Sequence, residues 1–235
     1  MNLPKIETPK YGLQIPSSGE TIEYRPFLVK EEKILLIAQQ TNKSKAMFKA
    51  MIDVIDNCTF GKLKMKDLTN FDVEYIFLKL RQKSVGEIAS LSIKCDDCGA
   101  SNPVEVNLEE IKVEESDKKE KKVMLTETVG VVLKYIDALS VEKLASLEKD
   151  QAKLLTETVI QSIDHIFDAE GVYPVNEANR SEIEEFINSL NREQIGKIEE
   201  FISSAPKLKH TVNFECVKCN TQNEVVLEGA QTFFV

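Results

Sequence analysis

The stretch "IKCDDCGASNPVEV", Ile93 to Val106, has a counterpart near the other end of the chain, "FECVKCNTQNEVVL", Phe214 to Leu227. Each is an alternating apolar segment, a Cys-x-x-Cys, a polar turn and a second apolar segment. Four of the five cysteines fall in these two motifs. Aligning Cys95 with Cys216 and Cys98 with Cys219 sets Leu91 and Ile93 on Val212 and Phe214. It also sets Asn102 on Asn223, and Val104 and Val106 on Val225 and Leu227. The residue after the second cysteine is Gly99 in one motif and Asn220 in the other. A knuckle that turns its amides toward the sulfurs often needs positive φ there, which Gly adopts freely and Asn tolerates next best.

Tetrahedral zinc takes four soft ligands, and each motif supplies two from one turn. The reading is therefore one closed, structural zinc-ribbon-like site on Cys95, Cys98, Cys216 and Cys219, joining distant parts of the chain. Lys94 and Lys218 offset part of the negative charge of four thiolates. Four thiolates leave no open coordination position, so the zinc is not catalytic. The cysteines admit two other readings. Thioredoxin-like chemistry wants its CxxC at a helix N-terminus, whereas both motifs sit between strand-like segments. Buried free cysteines with chance spacing would leave the matched flanks unexplained. Cys58 falls on the apolar face of a helix and reads as a small core residue. His165, placed on a helix, reads as a packed or surface histidine. His210 precedes the second motif but is not needed beside four thiols.

The chain of 235 residues is 42% hydrophobic, with 9 Gly and 7 Pro, enough for one large domain or two small ones without extensive disorder. Its net charge of −9 repels nucleic-acid phosphates unless a local patch overrides the mean. The start, "MNLPKIETPKYGLQIPSS", has no apolar core of signal-peptide length, and runs such as "ILLIA" are too short to span a bilayer. The expectation is a soluble protein made in a cytosol, where cysteines are thiols or metal ligands rather than disulfides.

The organisation follows from changes of period. Residues 1–29, with four prolines and "TIEYRPFLV", read as an extended arm or β-hairpin whose edge strand could join a partner's sheet. Residues 30–112 read as a helical unit plus the first CxxC hairpin. Within it, Met47, Met51, Val54, Ile55 and Cys58 share a helix face, and Thr69 caps a third helix. Residues 113–123 are a charged linker. Residues 124–235 comprise "VMLTETVGVVLKYID", a strand or bent pair around Gly130, then helices over "SVEKLASLEKDQAKLLTETVIQSIDHIFD". "AEGVYPVN" reads as a loop. Two short helices follow, capped by Ser181/Glu184 and Asn191/Gln194, and then the second hairpin. The fold class is α+β, mostly helical with short β-hairpins.

No nucleophile–base constellation, Gly-rich phosphate loop or paired-carboxylate site stands out. The Glu pairs at 31–32, 109–110, 184–185 and 199–200 read as solvated helix faces or linker. Aromatics are 7% of the chain and fall at core spacing, which argues against a base-stacking platform. A zinc-ribbon adaptor for nucleic acid or a transcription-type complex is the alternative reading. Asp96 and Asp97, where such a loop would want Lys or Arg, speak against it. The "FFV" end is either packed on its own domain or a partner contact.

"KIETPKYGLQIPSSGETIEYRPFLVKEEKILLIAQQ", "NCTFGKLKMKDLTNFDVEYIFLKLRQKSVGE" and "CDDCG" resemble the baseplate hub subunit and hub assembly protein family of T4-like tailed bacteriophages. The resemblance covers roughly residues 3–108 well and the C-terminal half more loosely. It implies a non-enzymatic role in building the baseplate hub, with other phage baseplate and hub proteins as partners and no small molecule, nucleic acid or membrane. It also implies action in the infected host's cytoplasm during assembly, and leaves open a place in the virion tail baseplate. It supplies no catalytic residues.

Overall fold

A computed structural model describes residues 6–114, 121–147 and 149–233. Residues 115–120 of the expected charged linker lie outside the described residues, as do the side chains of the "FFV" end. Contacts gather the chain into two compact units. The first holds the chain up to Lys64, Phe71–Glu114 and everything from Lys207 on; the second holds Met65–Asn70 and the chain between Glu114 and Lys207.

The first unit opens on an antiparallel hairpin, β1 (Tyr11–Gln14) and β2 (Thr21–Tyr24), whose alternation buries Ile22 and Tyr24. Helices α1 (Val29–Gln40) and α2 (Ser44–Cys58) pack on each other. The apolar spacing of α2 buries Met51, Val54, Ile55 and Cys58 as expected, and Met47 is half-buried. Helix α3 (Asn70–Val85) begins directly after Thr69 and buries residues on several faces, including Val73, Ile76, Phe77, Leu78 and Leu80. Glu31, read as part of a solvated face, is instead almost fully buried. The Arg25 guanidinium donates to its carboxylate at 2.9 Å, and the Leu28 N–H donates to it at 2.9 Å. Arg25 N–H also donates to the Cys58 carbonyl, which ties β2 to the end of α2. The misreading has a simple cause: a charge run reports solvation only when no opposite charge is folded onto it, and Arg25 is. Strands β3 (Ile88–Lys94) and β4 (Ser101–Asn107) form the first CxxC hairpin, followed by β5 (Lys112–Glu114).

The second unit is a four-stranded antiparallel sheet with helices. Strands β6 (Lys122–Met124) and β7 (Gly130–Leu133) are the pair expected around Gly130. Helices α4 (Ala138–Leu144) and α5 (Gln151–Ser162) follow. The helix expected to run through "IDHIF" does not. Ile163–Phe167 is strand β8, and the expected loop contains strand β9 (Val172–Pro174). The sheet order is β6-β7-β8-β9. Pairing with β7 buries Ile163 beside Leu133, and the tertiary contact overrides the helical period. His165 is therefore a strand residue, beside Asp164, not a helix residue. The β8–β9 turn is held by Asp168, whose carboxylate accepts the Glu170 and Gly171 N–H groups.

Helices α6 (Arg180–Ser189) and α7 (Arg192–Ser203) complete the unit. The reciprocal cap of α7 is as expected: Gln194 N–H donates to Asn191 Oδ1 at 2.9 Å, and Asn191 N–H to Gln194 Oε1 at 2.8 Å. That of α6 sits two residues earlier than expected, with Asn179 N–H donating to Glu182. "NRSEIEE" holds two acceptable cap registers, and the apolar face, Ile183 and Ile187 turned into the core, selects between them. The chain then returns to the first unit as β10 (Lys207–Glu215) and β11 (Gln222–Glu228), in a sheet ordered β11-β10-β5. The architecture is α+β: seven helices and several small antiparallel sheets among the described residues.

Candidate metal centre

The two CxxC hairpins share one register. Leu91 faces Val104 and Ile93 faces Asn102 in β3–β4; Val212 faces Val225 and Phe214 faces Asn223 in β10–β11. Their inner faces form one core with α3: Ala89, Leu91, Val104 and Val106 with Leu208, Val212, Leu227 and Leu78. This apolar packing brings the two knuckles together.

The knuckles are built alike. Cys95 N–H donates to the Ala100 carbonyl and Gly99 N–H to the Cys95 carbonyl, both at 2.9 Å. In the other, Cys216 N–H donates to Thr221 and Asn220 N–H to Cys216, again at 2.9 Å. Gly99 has φ +68° and Asn220 +59°, the left-handed turn expected of both. The Sγ atoms of Cys95, Cys98, Cys216 and Cys219 all lie within 4.8 Å of one another. Across the hairpins, Cys95 Sγ is 3.6 Å from Cys219 Sγ, and Cys98 Sγ is 3.6 Å from Cys216 Sγ. Four sulfurs about 2.3 Å from a common zinc at tetrahedral corners would be about 3.8 Å apart. All four are free thiols, with Cys95 and Cys216 buried and Cys98 and Cys219 half-buried.

The electrostatics separate the cysteines. The Cys219 and Lys218 backbone N–H groups bring Cys216 down to about 6. Those of Cys98 and Asp97 lower Cys95 in the same way. Cys98 is pushed up to about 12: the Ala100 N–H lowers it, but the neighbouring sulfurs and burial outweigh that. Several sulfurs at this spacing cannot all ionise without a cation among them. A bound metal would supply that charge, so the donor set suits a soft divalent ion.

The structure thus brings all four expected cysteines together. Cys58 is apart from them, buried and raised to about 11 by burial. His210 lies within β10 opposite Leu227 and is not one of the clustered donors. Lys94 and Lys218 are exposed beside the knuckles. Sequence reasoning matched Asn102 with Asn223 but gave them no role. Each side chain reaches the other hairpin: Val217 N–H donates to Asn102 Oδ1 at 2.9 Å, and Asp96 N–H to Asn223 Oδ1 at 3.0 Å. The available signal was a polar residue at a core-facing step of an apolar alternation, twice in the same register.

Comparison with known proteins bears on the whole chain. A family model described as the T4 bacteriophage base plate protein matches residues 8–235, well past residues 3–108 where the resemblance is strongest. The baseplate hub assembly protein gp26 of Enterobacteria phage T4 is 22% identical over 227 residues, spanning 96% of this chain and 98% of that protein. No solved structure matches the chain. The family match takes in both hairpins, both units and the described helices alike, and on that basis the chain belongs to the T4 bacteriophage base plate protein family.

Proposed function

We propose that this protein is a non-enzymatic assembly protein of the tailed-phage baseplate hub, with one structural Zn²⁺ on Cys95, Cys98, Cys216 and Cys219. The observation that carries the metal is the convergence of four thiol sulfurs from two matched hairpins within 4.8 Å. The assembly role is supported by the family and by a full-length relative that is a hub assembly protein. On this reading the partners are other baseplate and hub proteins, met in the cytoplasm of the infected host. Small molecules, nucleic acid and membranes are not partners. The exposed Asp96 and Asp97 at one knuckle tip disfavour a phosphate backbone there. Among the described residues, no helix is long and apolar enough to cross a membrane.

The zinc would act as a staple. Its ligands come from two hairpins separated in sequence by most of the second unit, and metal binding can contribute on the order of 10 kcal/mol to holding such a fold. Native mass spectrometry of the full chain, purified without chelator, should show one zinc per chain, and Cys95→Ser with Cys216→Ser should abolish it. A metal-free wild type would overturn the metal reading. Co-expression with baseplate hub proteins should give a stable complex with at least one of them; a chain that binds none would overturn the assembly reading.

A further inference from the structure

We propose that Asn102 and Asn223 are positioning residues of this metal centre, each holding the opposite knuckle so that the pair sets how long the metal stays bound. The inference rests on the zinc reading above. Both side chains are buried, at 1% and 5% exposure, on strands whose other inward positions are apolar. A carboxamide in that position is costly unless its hydrogen bonds are made. Here they are made in a paired pattern. Asn102 Nδ2 donates to the Ala100 carbonyl at the base of its own knuckle while Oδ1 accepts from Val217 of the other. Asn223 Nδ2 donates to Thr221 of its own knuckle while Oδ1 accepts from Asp96.

The partners of the knuckle amides show why the reach is needed. In the second knuckle, the Lys218 and Cys219 N–H groups serve the Cys216 sulfur, and the Asn220 N–H closes the turn onto the Cys216 carbonyl. The first knuckle does the same with Asp97, Cys98 and Gly99. The one amide left in each is that of the residue just after the first cysteine, Val217 or Asp96. Each is taken by the asparagine of the other hairpin. These bonds go to backbone amides, and the Asn223 side chain also reaches the Cys95 sulfur. They fix the first turn of each knuckle relative to the opposite strand, so a thiolate that leaves the metal remains placed to return. Groups that orient ligands in this way typically change metal affinity about 10–100-fold when removed.

The test is zinc transfer from the loaded full chain to a chromophoric chelator, with the Co²⁺-substituted protein followed by its absorption spectrum. Asn102→Ala and Asn223→Ala should each release zinc about 10–100-fold faster while keeping the four-thiolate tetrahedral Co²⁺ spectrum. Asn107→Ala, at the far end of β4 where the side chain bonds only locally to Glu109 and Glu110, should match the wild type. Release within twofold of wild type in both variants would overturn the proposal. Should the variants not fold, hydrogen exchange on the loaded wild type decides the matter. The Asp96 and Val217 amides, on exposed knuckle tips, should be protected, and exchange at the rate of a free turn amide would overturn the proposal. A wild type that takes up no metal overturns the zinc reading itself, and its metal content reveals this before any variant is compared.

Discussion

At Glu31 a single carboxylate joins the end of β2 to the first turn of α1. Burial alone would raise its pKa, but the hydrogen bonds from Arg25 and from the Leu28 N–H outweigh it and hold it below the usual glutamate value. A folded pKa below the unfolded one means stability that is present above about pH 4.3 and is lost as the pH falls through the lower, folded value. Glu31→Gln leaves the Arg25 guanidinium buried without its counter-charge, and should cost about 3–5 kcal/mol in urea unfolding at pH 7. The gap from wild type should narrow as the pH falls from about 4.3 toward the lower, folded value, below which the wild-type carboxylate is protonated as well. A pH-independent gap would mean that Glu31 acts through packing alone. Legibility at this scale divides by range. The positive φ at Gly99 and Asn220 could be read from the chain, since the steric cost of a left-handed turn belongs to the residue itself. The burial of Glu31 and the reach of Asn102 could not, because each depends on a partner that only folding brings near.

Among the elements, the two CxxC hairpins were the most readable, since a period of two with a knuckle between is a local pattern. Strand β8 was the least. "SIDHIFD" continues a helical period from α5, and nothing local marks the switch at Ile163. What decides it is β7, whose Val131 and Leu133 are fully buried and need a strand beside them. Gly130 belongs to that pairing. It faces Phe167 across the strands, and a Cβ added there would fall inside the contact distance of the ring. Gly130→Ala should therefore cost about 1–3 kcal/mol by overpacking, measured by chemical denaturation. Adding Phe167→Ala should remove most of the added penalty of the alanine. If Gly130→Ala is neutral, the ring is free to move and the cross-strand seat is not fixed.

For the whole molecule, the order of the chain and the order of contacts differ. Most of the second unit, with its own core of Val131, Leu133, Ile160, Ile163, Ile198 and Phe201, lies in sequence between the two halves of the cysteine cluster. A metal there closes a long loop, and the entropic cost of closing such a loop grows only slowly with its length. On the zinc reading, calorimetry of the loaded chain with and without a strong chelator should lower the transition of the first unit and leave that of the second in place. A single transition that shifts as one, or none that shifts, would count against a staple confined to the first unit. The amino-acid order was enough for the α+β class, the matched hairpins, the α7 cap and the candidate ligand set, because periodicity, steric tolerance and thiol spacing are local properties. The packed core that brings the expected four sulfurs together, the crossed asparagines, the buried Arg25–Glu31 pair and strand β8 came only from packing, because each is a contact between segments whose nearness no local rule contains.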